Sequence, residues 1–185
     1  AEKSSRRAYG YGQGCLRQDV SEEGTRLVVE SQAIKAFLQK HHSVALDTSV
    51  FIYFVEGYPL YYPFCEFLFG EIEAGHAAAS TSTLTLLEIL VQPYQRKKDD
   101  LVIKFYSLFT TYPHLVWVPM TLNVADTAAK LRAEYRLKTP DAIQAASAIA
   151  HGATGFVCND KVFQKIKEIE CLVIDDYIPR AGKPR

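Results

Sequence analysis

SVALDTSVFIYF, residues 43–54, passes from a short apolar strand, SVALD (43–47), into an aromatic helical region that runs to about Gly75 and is interrupted by Pro59 and Pro63. The same alternation repeats along the chain. HAAAS (76–80) reads as a second strand and TLTLLEILVQ (83–92) as a helix. A helix over 99–110 leads to a third strand, LVWVP (115–119). Helices over 122–136 and 140–151 lead to a fourth, GFVC (155–158), and a helix over 161–168 to a fifth, CLVI (171–174). Short strands that are apolar throughout, each separated from the next by helix, predict a parallel sheet covered on both faces. The fold class expected is α/β: a three-layer α/β/α domain around a central parallel sheet of four to five short strands.

Outward from this core the signal weakens. Residues 1–24 mix Gly, Ser and charge without periodicity and are expected to form a flexible leader. Residues 26–40 (RLVVESQAIKAFLQK) read as a helix, or over 27–29 as a short strand. The expected organisation is an N-terminal extension (1–42), a compact domain (43–178) and a basic tail (179–185). A chain of 185 residues, 48% hydrophobic, folds without needing metal or disulfide and is too apolar for disorder. Its longest apolar stretches, about eight residues, fall far short of a membrane helix, and no apolar core follows a basic start. A cytoplasmic protein with no membrane partner is expected. Cys15, Cys65, Cys158 and Cys171 form no C-x-x-C, which reads as reduced thiols rather than a zinc site. Acidic and basic residues number 21 each, and zero net charge is compatible with a local basic patch.

In open parallel sheets, ligands bind at the carboxyl ends of the strands. Four acids from remote parts of the chain fall there. Asp47 ends the first strand, Glu88 lies in the helix after the second, Asp141 in the first turn of the helix opened by Thr139-Pro140, and Asp160 directly after the fourth strand in FVCND. Three of them have local readings. Glu88 would complete a capping box, Thr85-x-x-Glu88. Asp141 would be a first-turn acid favoured by the helix dipole, after an N-cap at Thr139 and Pro140 at N1. Asp160 would cap the helix over 161–168. Asp47 resists such a reading, because an acid at the end of an apolar strand is costly unless paired or bound to a metal. Glu88 fits its box poorly, since Ser80–Thr83 offer an earlier helix start. Clustered carboxylates repel unless a cation neutralises them. An all-oxygen site without Cys or His suits Mg²⁺ or Mn²⁺ better than zinc. Such ions polarise a phosphate and lower the pKa of a water, so the chemistry expected is metal-assisted phosphodiester hydrolysis. The spacing alone leaves the substrate open.

Four stretches, VALDTSVFIYF (44–54), STSTLTLLEIL (80–90), LRAEYRLKTPDAIQAASAIAHGA (131–153) and GFVCNDKVFQKI (155–166), resemble PIN domains, especially the ribonuclease toxins of the VapC type in toxin–antitoxin modules. Acid intervals of 41, 53 and 19 residues fit that layout. The resemblance implies a metal-dependent endoribonuclease that hydrolyses RNA phosphodiesters with a metal-activated water, using Mg²⁺ or Mn²⁺. Asp47, Glu88, Asp141 and Asp160 would be the family's metal-binding acids. Thr48 or Ser49 would be a polar support behind them, and Asn159 would orient Asp160 or its loop. An RNA substrate, a cognate antitoxin and a homodimer are the partners implied. The leader is long for a minimal toxin, and 53–65 is unusually aromatic.

Arg132, Arg136 and Lys138, just upstream of Asp141, are candidates to hold an RNA backbone, which would make binding salt-dependent. Arg96, Lys97 and Lys98, and Lys161, Lys165 and Lys167, read first as solvated faces. Tyr53, Tyr58, Tyr61, Tyr62 and Phe64 read as core or dimer surface before base stacking. Asp175 and Asp176 read as a polar strand end. Three rivals remain. A PIN fold that binds RNA without turnover is the first. An aspartyl-phosphate phosphatase would want a second Asp two residues after the nucleophile, where this chain has Ser49. A receiver domain would be separated by phosphorylation from a small phosphodonor.

Overall fold

The computed structural model describes residues 22–178. Most of the expected leader and the whole of the basic tail, 179–185, lie outside the described residues. Five strands, β1 (Ser43–Leu46), β2 (Ala78–Ser82), β3 (Leu115–Val118), β4 (Gly155–Cys158) and β5 (Glu170–Val173), pair in parallel in the order β3-β2-β1-β4-β5. The helices are α1 (Glu22–Lys40), α2 (Thr48–Val55), α3 (Tyr62–Glu73), α4 (Thr83–Gln95), α5 (Asp99–Thr111), α6 (Leu122–Tyr135) and α7 (Thr139–Ala150). This is the three-layer α/β/α architecture expected.

Successive strand residues serve opposite layers, as a pleated strand requires. Val44, Leu46 and Val157 pack with Phe37 of α1, Phe51 of α2 and Phe64, Leu68 and Phe69 of α3. Ala45, Phe156 and Cys158 pack on the other side with Val124, Ala128 and Leu131 of α6 and Ala142, Ala145 and Ala146 of α7. With both faces buried, the strands cannot alternate apolar and polar, which is why they read as short apolar runs. A third cluster, Ile89, Leu90 and Phe105, joins α4 to α5 beside Ile52 and Val55 of α2.

Several boundaries differ from the sequence reading. Residues 26–40 are helix, and α1 begins at Glu22, inside the stretch expected as leader. Ile34, Phe37 and Leu38 join the core, so packing extends upstream of Ser43. A Cβ at Gly155 would lie 2.8 Å from the Phe37 ring and 2.9 Å from His41 Cβ, so the end of α1 approaches β4 closely only because that position is glycine. The second strand is Ala78–Ser82, not 76–80. Its second half is hydroxylic yet buried: Thr81 donates to the Leu46 carbonyl at 2.9 Å and Ser80 to that of Val44 at 3.5 Å. Satisfied hydroxyls hide a core strand from a hydropathy reading. The helix expected over 161–168 is a 3-10 turn, Lys161–Lys165, ended by the extended backbone of Ile166. The last strand is one residue earlier than 171–174. Among the described residues, no helix is long and apolar enough to cross a membrane.

Candidate active site

The strand order reverses between β1 and β4, and such a switch point opens a crevice at the carboxyl ends of those strands. Asp47 follows β1 and Asp160 follows β4, one on each side of it. The Asp47 N–H is held by the Val157 carbonyl of β4 at 2.9 Å. α4 leaves the same edge after β2 and carries Glu88; α7 opens just before the crossover to β4 and carries Asp141 in its first turn.

Local chemistry fixes two of these acids. Asp47 is the N-cap of α2: its Oδ2 accepts from Ser49 Oγ at 2.8 Å and from the Ser49 N–H at 3.4 Å. Asp160 caps the 3-10 turn, its Oδ1 accepting from the Val162 N–H at 2.9 Å. The capping expected of Asp160 is therefore real, and Asp47 caps as well. Capping occupies only part of each carboxylate, leaving both at the sheet edge.

Glu88 is held differently. The capping box is not formed, because α4 starts earlier, with Ser82 as N-cap accepting from the Leu84 N–H at 3.2 Å. Thr85 then falls inside the helix, fully buried. Glu88 Oε2 accepts from Thr48 Oγ1 and, at 3.2 Å, from Gln144 Nε2. Asp141 follows an N-cap at Lys138 rather than Thr139; Lys138 caps with extended backbone and no side-chain bond, so Pro140 still sits within the first turn.

The four acids share one field. Burial, above all, raises the Asp47 carboxyl above the ordinary aspartate range; hydrogen bonds from Ser49 and the Thr48 N–H oppose this, and the charge of Glu88 adds to it. The Asp141 carboxyl is also raised, first by partial burial and then by Asp160 and Glu88, with Lys138 opposing. At this edge the carboxyls of Asp47 and Asp141 are thus held toward their neutral forms, by burial first and by neighbouring acids second. A match to the PIN domain family model runs over residues 44–169. The chain belongs to the PIN domain family. No curated protein matches it. Among solved structures, this PIN domain is similar to "VapBC2 from Rickettsia felis bound to a DNA fragment from their promoter", with a TM-score of 0.56 and 20% identity over 71% of this chain and 98% of that one. It is also similar to a toxin–antitoxin complex from Klebsiella pneumoniae, with a TM-score of 0.53 and 20% identity over 71% of this chain and 97% of that one.

The PIN domain's donor set fits a hard divalent cation in chemistry: carboxylate oxygens whose ionised forms burial and neighbouring acids disfavour until a cation is bound. Among the described residues, however, no three His, Cys, Asp or Glu side chains close on a point as a finished metal cage. Of the supporting residues, Thr48 serves Glu88 and Ser49 serves Asp47. Asn159 orients the loop and not Asp160: its Oδ1 accepts from the Asp175 N–H at 2.9 Å and its Nδ2 donates to Tyr53 Oη at 3.0 Å. Tyr53 stacks on Tyr61 at 4.1 Å, and Tyr61 donates to Asp175 Oδ1 at 3.0 Å, so much of the aromatic run buttresses this loop; Phe64 is core. Arg132, Arg136 and Lys138 are all exposed, and Lys138 is the one whose charge acts on Asp141. Lys161 pairs with Asp176, and Arg96–Lys98 form the exposed α4–α5 turn.

The sequence reading missed a buried hydroxyl–amide network of Thr81, Thr85 and Gln144 behind Glu88. One signal was present: Gln144 interrupts the otherwise small or apolar run AIQAASA, and a buried amide must have partners.

Proposed function

We propose that this PIN domain is a metal-dependent endoribonuclease acting on single-stranded or looped RNA, the form whose backbone and bases are accessible, and that it is the toxin of a toxin–antitoxin pair. The observation that supports the reading is the electrostatic coupling, at the switch-point edge, of Asp47 with Glu88 and of Asp141 with Asp160 and Glu88. In this reading the four acids hold one or two Mg²⁺ or Mn²⁺ ions. The cation, when bound, supplies Lewis-acid stabilisation of the phosphate and a lowered water pKa. Asp47 and Glu88 hold their positions through Ser49 and Thr48, Asp141 stands half-buried at a helix start, and Lys138, with Arg132 and Arg136, steers the RNA backbone. The toxin reading is supported by the fold shared with two toxin–antitoxin complexes. Leu87, Val91 and Tyr94, spaced along α4, are 62%, 42% and 56% exposed, an apolar stripe that supports protein partners. A second copy of the chain and a cognate antitoxin are the partners proposed, in a cytoplasmic setting.

The test is cleavage of a mixed single-stranded RNA by purified protein in Mg²⁺, Mn²⁺ or EDTA, beside Asp47→Asn. Cleavage that needs metal and disappears in the variant is expected. Mn²⁺ binding and RNA binding with no cleavage of any RNA tried would overturn the nuclease reading in favour of RNA binding without turnover.

A further inference from the structure

Gln144 lies on the buried face of α7 and is 3% exposed. A side-chain amide in such a place is costly unless its hydrogens are matched. Three oxygens meet its Nε2: Thr48 Oγ1 and Thr85 Oγ1 at 2.9 Å each, and Glu88 Oε2 at 3.2 Å. The nitrogen must face this way, because the amide oxygen would oppose a carboxylate.

The hydroxyl directions follow. Thr81 donates to the Leu46 carbonyl at 2.9 Å, so the proton between Thr81 and Thr85, also 2.9 Å apart, comes from Thr85. Thr85 is then an acceptor for Gln144. Thr48 spends its single proton on Glu88, so it too accepts from Gln144; the amide has two hydrogens for three oxygens, so one is shared between Thr48 Oγ1 at 2.9 Å and Glu88 Oε2 at 3.2 Å. Glu88 Oε2 is engaged by donors from α2 and α7, whereas Oε1 has no hydrogen-bond partner among the described residues.

We infer that Gln144 is a positioning residue of the acidic site: its amide, with Thr48, anchors Glu88 through Oε2 and leaves Oε1 as the oxygen offered to a divalent cation. The inference rests on the metal-site reading above and deepens it. Gln144 acts through Glu88 and touches no reacting atom. Because Mg²⁺ tolerates ligand displacement less than Ca²⁺ does, loosening Glu88 should weaken Mg²⁺ more than Ca²⁺.

Gln144→Met keeps the length of the side chain and removes the donor. Calorimetric titration of the metal-free protein with Mn²⁺, at a temperature where the variant is fully folded, should show affinity reduced about 10–100-fold, with the larger loss for Mg²⁺ than for Ca²⁺. Gln144→Asn, which withdraws the amide by one methylene, carries the same test if the Met variant does not fold. On a Glu88→Gln background, Gln144→Met should change the remaining Mn²⁺ affinity by less than about twofold, since the two residues act as one unit. A purely structural role would lower the melting temperature and leave the affinity of the folded protein untouched. Wild-type Mn²⁺ affinity in a folded Gln144 variant would overturn the inference. Folded wild-type protein that binds no Mn²⁺ overturns the metal-site reading and this inference with it, an outcome distinct from the first.

Discussion

The two sides of the crevice are built by different means. On one side Glu88 is braced by buried groups from three helices: Thr48 of α2, Thr85 of its own α4 and Gln144 of α7. On the other, Asp141 and Asp160 stand where local backbone puts them, one in a first turn and one as a cap to the Val162 N–H, with Asp160 exposed. The braced side cannot shift without breaking buried hydrogen bonds, whereas the local side can adjust at small cost. If this edge is the metal site proposed, it has one braced wall to define geometry and one locally held, adaptable wall to admit a ligand.

Four experiments would break or sharpen that contrast. The largest effect is expected in RNA cleavage, where Glu88→Gln and Asp141→Asn should each lower the rate at least about a hundredfold, because metal stabilisation of the phosphate contributes several kcal/mol. If only the Glu88 variant loses activity, the adaptable wall has no part in the chemistry. Stability should separate the walls more clearly. Thr85→Val strands one donor of Gln144 and the lone pair of Thr81, at a cost of about 1–3 kcal/mol, whereas Asp141→Asn should change stability by less than about 1 kcal/mol, because the lost first-turn dipole interaction is offset by removing a charge that burial and Asp160 disfavour. Urea unfolding of both variants measures this, and equal losses would erase the distinction.

A smaller effect concerns pH. Asp47 and Asp141 have folded-state carboxyls raised above their unfolded values, so across that window the native state binds more protons than the unfolded one. Metal-free stability should therefore fall as pH rises from about 4 through the raised values. Asp47→Asn should flatten the fall, and Mg²⁺ at about a hundred times its Kd should restore ~2.7 kcal/mol. Melting curves across pH that rise instead would contradict a carboxyl raised by burial at Asp47. The smallest effect is expected for Lys138→Ala, which should reduce the salt slope of RNA binding by about 0.7, one phosphate contact to a single strand.

Legibility followed the same divide. The strands, the acids at their ends and the cap at Asp160 were readable because each follows from a few consecutive residues: an apolar run, an acid after it, an orphan N–H to satisfy. The second strand was misplaced by two residues because Ser80, Thr81 and Ser82 look like loop until partners for their hydroxyls are known. Thr85 looked like half of a capping box for the same reason. Asn159, adjacent to Asp160, serves Tyr53 and Asp175, contacts 106 and 16 residues away in sequence.

What the sequence by itself determined is therefore the α/β alternation, the PIN resemblance and the four acids, all carried by local pattern and spacing. What only the tertiary structure decided is how Glu88 is held. Thr48, Thr85 and Gln144 are scattered through the chain, and although Thr48 follows an acid and Gln144 breaks an apolar run, nothing in their local context says that the three meet behind Glu88. They become a single hydrogen-bonded unit because α2, α4 and α7 pack together against one sheet, and a buried polar group takes its partners from whatever that packing brings within reach.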